Sequence, residues 1–225
     1  MFFTRFWFNP ARRGAQRLLT SPHALHAAVL AGFPDPSPTE TGRVLWRLDN
    51  TSHAARLYVV SPSRPDLTHL AEQGGWPTLD DAWGSRPYEP VLDRLRDGDR
   101  YRFRLTANPM RNERREDGGR GIPRGHVAVA QQEKWLLDRQ ERHGFRVPPL
   151  AEHDDRVDVV VRDRKLLVFR RGETQVTLRV VSYEGTLVVA DRERLTAALC
   201  HGIGRAKGYG CGLMTLTTAA PSDPR

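Results

Sequence analysis

An aromatic strand-like run at residues 2–8, a helix signal soon after it, and a second half rich in strands with two helices predict an α+β chain. The element order predicts two tandem ferredoxin-like (RRM-like) domains. Their expected extents are 1–107 and 108–225, meeting at Asn108-Pro109.

The first half reads strand, helix, strand, strand, helix, strand. Residues 2–8 (FFTRFWF) favour a strand that Asn9-Pro10 ends. Ser21-Pro22 is an N-cap followed by proline at the first helical position, which opens a helix over 22–31. Gly32 and the proline-rich stretch 34–38 stop it. Strands are expected at 43–48 and 55–61 around a turn at 49–52, then a helical stretch at 65–73 and a strand at 100–106. In the second half, the Arg/Gly-rich segment 110–125 reads as a mobile loop. A helix at 131–143 follows, then strands at 156–161, 165–170, 174–182 and 186–190, with Arg171-Gly172-Glu173 turning a hairpin. Asp191 caps a helix over 191–201 that ends at Gly202, and the last strand is 212–217.

A length of 225 residues, 39% hydrophobic and 28% charged, suits one large domain or two smaller ones and excludes a disordered chain. No apolar run approaches the roughly 18 residues of a membrane span. The aromatic opening is interrupted by Arg5 and is too short for a signal-peptide core. Cys200 and Cys211 cannot build a disulfide framework or a four-ligand zinc site, so a cytoplasmic protein is expected.

The formal net charge is +8, and 32 of the 35 basic residues are arginine. GC-rich coding accounts for that ratio but not for where the charge sits. Windows 1–20, 101–125 and 160–179 are each net +4, which leaves the rest of the chain net −4. Such segregation fits either a polyanion surface, with arginine forks suited to phosphate, or merely solvated faces.

Residues 202–212 (GIGRAKGYGCG) carry glycine at 202, 204, 208, 210 and 212, with Arg205 and Lys207 between them. Such a loop either offers N–H groups to phosphate or makes a tight helix-to-strand connection. It lacks the Walker triplet and the dinucleotide spacing. His23 and His26 lie about 60° apart on the helix that Ser21-Pro22 opens. A pair of imidazoles can supply the acid and base of a phosphodiester transesterification without a metal, or can be histidines of no special role. His53, His69, His126, His143, His153 and His201 are scattered, and His153 with Asp154-Asp155 reads as a solvated acidic turn rather than a metal site. Phe6, Phe8, Tyr101 and Phe103 fit core positions better than base-stacking ones.

Four segments together resemble the CasE-type CRISPR repeat endoribonucleases. They are the first strand with Asn9-Pro10, the helix with Ser21-Pro22-His23-Ala24-Leu25-His26, the run 101–109 (YRFRLTANP), and 202–213 (GIGRAKGYGCGL). The resemblance implies two ferredoxin-like domains that bind the stem-loop of a CRISPR repeat transcript. It further implies metal-independent cleavage at the base of the stem, with no cofactor, leaving a 2′,3′-cyclic phosphate and a 5′-hydroxyl. The family's histidine matches His26, either as proton donor to the leaving 5′-oxygen or as partner of the 2′-OH. Family members often carry tyrosine three residues earlier; His23 stands there, as a second acid/base, an orienting group or a stacking replacement. The family's basic hairpin matches Arg170 and Arg171, expected on the RNA stem. Arg205 and Lys207 in the glycine loop, and Arg12 and Arg13 before the His26 helix, are expected RNA contacts too. The implied partners are repeat RNA and other Cascade subunits, with no membrane. A non-catalytic RNA-hairpin-binding subunit is the alternative, and a nucleotide-binding regulator using the glycine loop is a third reading.

Overall fold

A computed structural model of the chain describes residues 1–51, 54–76, 82–113, 122–151 and 155–218. The expected features at His53, His153 and Asp154, and the centre of the 110–125 segment, lie outside the described residues.

The first sheet has the order β2-β3-β1-β4, every pair antiparallel. Its strands are β1 (Phe2–Phe8), β2 (Leu45–Asn50), β3 (Ala55–Ser61) and β4 (Trp83–Pro87). Helices α1 (Arg13–Leu19), α2 (Pro22–Leu30) and α3 (Thr68–Gly74) cover one face, where Phe6, Phe8, Leu25, Val29, Trp46, Leu57 and Leu70 form a core. The opposite face carries Phe3, Leu45, Tyr58 and Val60, which join the second core. A sheet buried on both faces needs apolar residues at successive positions, as in Val59-Val60.

A short helix α4 (Glu89–Leu92) leads into β5 (Arg100–Ala107), and β6 (Met110–Glu113) pairs with β7 (Ile122–Gly125) as a separate ribbon. Then come α5 (Val129–Leu137), β8 (Phe145–Arg146), β9 (Val159–Arg171), β10 (Thr174–Val189), α6 (Arg192–His201) and β11 (Met214–Thr218). The second sheet runs β11-β5-β10-β8, with β9 on β10 as well. Tyr183 is its largest fully buried side chain and donates its hydroxyl to the Gln132 carbonyl at 2.8 Å. Two α+β units of ferredoxin-like strand order therefore follow each other.

The structure corrects several expectations. The strand at 100–106 does not close the first sheet; β5 pairs with β10 and β11, so the change of sheet falls between Pro87 and Arg100. The first sheet is closed by β4, whose sequence WGSRP has no apolar alternation to announce it. The four short strands expected over 156–190 are two long ones, β9 and β10, with a register shift at Val180/Ser182 where Asp163 takes φ 48. The two ends of the segment 110–125, expected as a mobile loop, are the paired strands β6 and β7. Helix α1 follows Arg12 with no side-chain cap, so no cap residue marks its start.

One buried cation joins the units. Arg47 of β2 is 2% exposed and donates Nε and Nη2 to the two carboxylate oxygens of Asp49, at 2.8 and 3.1 Å. Its Nη1 crosses to the Arg104 carbonyl and Thr215 Oγ1, both at 2.9 Å. Removing one partner strands the other in a poorly solvated place. Arg47→Ala should therefore lower unfolding stability by about 3 kcal/mol in urea titration, and Arg47→Lys should recover only part of it because the fork is lost.

Candidate nucleic-acid site between the two domains

Helix α2 begins where the side chain of Ser21 accepts a hydrogen bond from the Ala24 N–H at 3.2 Å. Leu25 and Val29 point into the core, which turns His23 and His26 toward the second domain. Opposite them the chain leaves α6 at Gly202 and winds through residues 203–213 before β11. Gly210 has φ 78, and a Cβ there would lie 2.7 Å from the Trp46 ring. A Cβ at Gly208 would lie 3.2 Å from His26 Nε2. The glycines let backbone pass against an indole and an imidazole, so their first role is close approach.

A cleft of about 530 Å³ results, lined by His23, His26, Arg43, Arg171, Gly204, Arg205, Ala206, Lys207, Gly208 and Tyr209. No carboxylate is among these residues. Both domains contribute: His23, His26 and Arg43 from the first, Arg171 and the glycine loop from the second.

Half-buried His26 accepts at Nδ1 from Trp46 Nε1–H, 3.3 Å away. Indole nitrogen can only donate, so the neutral ring holds its proton on Nε2, beside Gly208. Burial lowers the His26 pKa from 6.5, helped by the positive charges of His23, Arg43 and Arg171. Lys207 donates Nζ to the Gly204 carbonyl at 2.6 Å, and burial with Arg43 nearby lowers its pKa too. The Arg43 Nε is buried without a hydrogen-bond partner. A crowded cationic cleft with an unsatisfied guanidinium nitrogen is an environment that a bound anion would relieve.

Of the residues singled out in the sequence, His23, His26, Arg171, Arg205, Lys207, Gly204 and Gly208 meet here. Arg170, one position before Arg171 on β9, is exposed and is not part of the lining. Gly202 packs on Leu45, and Gly212 donates its N–H to the Thr106 carbonyl at 2.7 Å. Arg13 is exposed at the start of α1. Arg12 is otherwise engaged: its guanidinium donates to the carbonyls of Ala71, Glu72 and Gly75 at the end of α3. Sequence reasoning missed Arg43, Trp46 and Tyr209, which read locally as strand and loop residues. Among the described residues no group of three or more His, Cys, Asp or Glu is placed to hold a metal ion, and no helix is long and apolar enough to cross a membrane.

Residues 1–218 match the family model described as CRISPR associated protein. The CRISPR-associated endoribonuclease Cse3 of Thermus thermophilus is 30% identical over 222 residues, which cover 96% of this chain and 99% of the relative. The CRISPR system Cascade subunit CasE of Escherichia coli K12 is 33% identical over 121 residues, 51% of this chain and 56% of the relative. Among solved structures, Thermus thermophilus Cse3 bound to an RNA representing a pre-cleavage complex aligns with a TM-score of 0.79 at 29% identity, over 96% of this chain and 98% of that one. The crystal structure of Cas6e from Escherichia coli K-12 shares the fold, with a TM-score of 0.67 at 21% identity over 97% of this chain and 100% of that one.

The Trp46 bond favours neutral His26, because an imidazolium has no lone pair to accept it. By NMR titration His26 should therefore protonate below pH 6.5, and Trp46→Phe should move its midpoint upward. An unchanged midpoint would show that the indole N–H does not act on the ring.

Proposed function

The chain belongs to the family of CRISPR-associated proteins, and from that membership we propose a metal-independent endoribonuclease that cuts CRISPR repeat RNA at the base of its stem-loop. The products are a hairpin ending in a 2′,3′-cyclic phosphate and a downstream RNA with a 5′-hydroxyl. The observation that carries this reading is the carboxylate-free cleft in which two histidines face Arg43, Arg171 and Lys207.

In this reaction the 2′-OH attacks the neighbouring phosphorus and the 5′-oxygen leaves. One group accepts the 2′-OH proton and another protonates the leaving oxygen. His26 is assigned the second role through Nε2, the nitrogen beside Gly208. Acting as an acid requires the imidazolium, so Nδ1 must take a proton and give up the 3.3 Å Trp46 bond. That bond is long, and the charge of an entering phosphodiester favours the protonated ring. His23, one turn earlier and in the same cleft, is assigned the proton-accepting role. Arg43, Arg171 and Lys207 stabilise the charge that builds on the phosphoryl oxygens. The stem is assigned to the β9–β10 hairpin, where Arg170 and Arg171 stand on either side of the strand. The relative named as a Cascade subunit supports a further role for this protein, staying on its product within such an assembly.

Cleavage of a labelled repeat hairpin should persist in excess EDTA, and its loss there would overturn the metal-free mechanism. His26→Ala should slow single-turnover cleavage by about a thousandfold with hairpin affinity nearly intact. Hairpin binding without cleavage by the wild type at every pH from 6 to 9 would instead identify an RNA-binding subunit. A 2′-deoxy nucleotide before the scissile bond should abolish cleavage and spare binding.

The pH dependence follows from the lowered His26 pKa. Since the acid must be protonated, removing the assigned base in His23→Ala should leave a residual kcat/KM that falls as pH rises, with a free-enzyme midpoint below 6.5. The single-turnover midpoint at saturating RNA should lie higher, because bound phosphate favours the imidazolium. Arg43→Ala should slow the chemical step by about a hundredfold.

A further inference from the structure

A second groove, of about 420 Å³, runs between the base of the β6–β7 ribbon, helix α5 and the glycine loop. Arg111, His126, Lys134, Arg139 and Arg205 line it. Its one carboxylate, Asp138, is already held by Lys134 at 2.7 Å. The His126 Nδ1 is buried without a hydrogen-bond partner. The Arg139 guanidinium carbon lies over the Trp135 ring, 4.1 Å from its centroid, and the group is held there by a 2.8 Å bond from Nη1 to the Trp135 carbonyl.

Two features tie this groove to the cleft of His23 and His26. Arg205 lines both, whereas Arg171 lines only the first. Arg139 of the groove and Lys207 of the cleft both act on half-buried His143, whose pKa is pushed down to about 4, mainly by burial and then by Arg142, Arg139 and Lys207. A polyanion entering past Arg171 and crossing the histidines therefore meets further cations along Arg205 and into the groove.

We propose that this second groove holds the single-stranded RNA that continues beyond the scissile phosphate, with its phosphates on Arg111, Lys134 and Arg205 and a base against the Arg139 plane. The inference rests on the reading that the first cleft holds the scissile phosphate. If the stem sits on the β9–β10 hairpin, a strand leaving by Arg205 moves away from the stem, as the downstream strand must. A guanidinium already held over an indole offers a base a stacking surface at little ordering cost. Excess positive charge on the other side chains serves phosphates without reading sequence.

The test uses repeat hairpins made uncleavable by a 2′-deoxy nucleotide. One ends a single nucleotide past the scissile bond, one continues for six more, and a third carries the six nucleotides on its 5′ end instead. The downstream extension should tighten binding about tenfold at 50 mM salt and lose most of that advantage by 200 mM, as two or three phosphate contacts require. Lys134→Glu, at an exposed position, should remove most of the advantage and leave the short hairpin's affinity unchanged. A 4-thiouridine three nucleotides downstream should crosslink within residues 126–139 or to Arg205. Equal affinity for the short and extended RNAs, an advantage that survives Lys134→Glu, an equal gain from the 5′ extension, or a crosslink elsewhere would each overturn the inference alone. Failure to bind any of the hairpins would overturn the underlying reading as well.

Discussion

The Arg47 guanidinium is the contact on which the site's geometry depends. It sits on β2, one residue after Trp46, and reaches β5 and β11 of the other domain. A buried guanidinium costs several kcal/mol unless its donors are met, and here Asp49 meets two while a carbonyl and a hydroxyl across the interface meet a third. Apolar packing of Phe3, Leu45, Tyr58 and Val60 into the second core supplies attraction between the domains but tolerates sliding. The hydrogen bonds of Arg47 are directional and do not. Arg104 extends the same network to Glu184 at 2.8 Å and Asp163 at 3.0 Å. Once that registry is set, Trp46 and His26 of the first domain meet Gly208 and Gly210 of the second.

The cleft's electrostatics follow from the same closure. Bringing the Arg171 hairpin and the Lys207 loop onto α2 concentrates positive charge and removes water from His26. Both effects oppose the imidazolium, and the Trp46 N–H opposes it again. A phosphodiester in the cleft would reverse the balance by neutralising the cations and bringing negative charge beside the ring. The fold by itself thus favours the neutral form of His26, and under the proposed mechanism a bound substrate would shift that balance toward the acid. Lys207 is lowered for the same reasons, burial first and Arg43 second.

Much of this was legible in local sequence. Ser21-Pro22 and Asp191 mark helix starts because capping is decided within three residues, and both caps form, with Asp191 accepting from the Arg194 N–H at 3.0 Å. The i,i+3 spacing of His23 and His26 puts them on one side of α2 whatever surrounds it. Pairing between distant segments was not legible. β5 has the alternation of a strand, but nothing in residues 100–107 says which sheet receives it. The basic windows show the same limit. Window 160–179 delivers Arg171 to the cleft, whereas Arg12 of the first window caps α3 and Arg104 of the second pairs across the interface with Asp49 at 3.5 Å. Charge counted along a chain is blind to carbonyls and carboxylates that lie some 60 residues away. Trp46 on β2 and Arg43 just before it were invisible for the complementary reason, since such residues gain a chemical role only from what packs above them.

The glycine loop shows why composition alone left its meaning open. Five glycines in eleven residues suggested a backbone cradle for phosphate or a tight connection, and the structure makes those readings interdependent. Gly210 admits Trp46 and Gly208 admits His26, so side-chain contacts from the first domain occupy the space that glycine leaves. The cationic groups come instead from the residues between them, Arg205 and Lys207, whose positions are set by how closely the glycines let the loop lie down. Ala206, at φ 60, bends the chain between those two cations at a conformation unusual for a residue with a Cβ. A longer or bulkier loop would keep the same charges but hold them away from the imidazole. Tight packing and the placement of charge are therefore one constraint: the loop brings Arg205 and Lys207 into the cleft beside His26 only because its glycines fit against Trp46 and the imidazole.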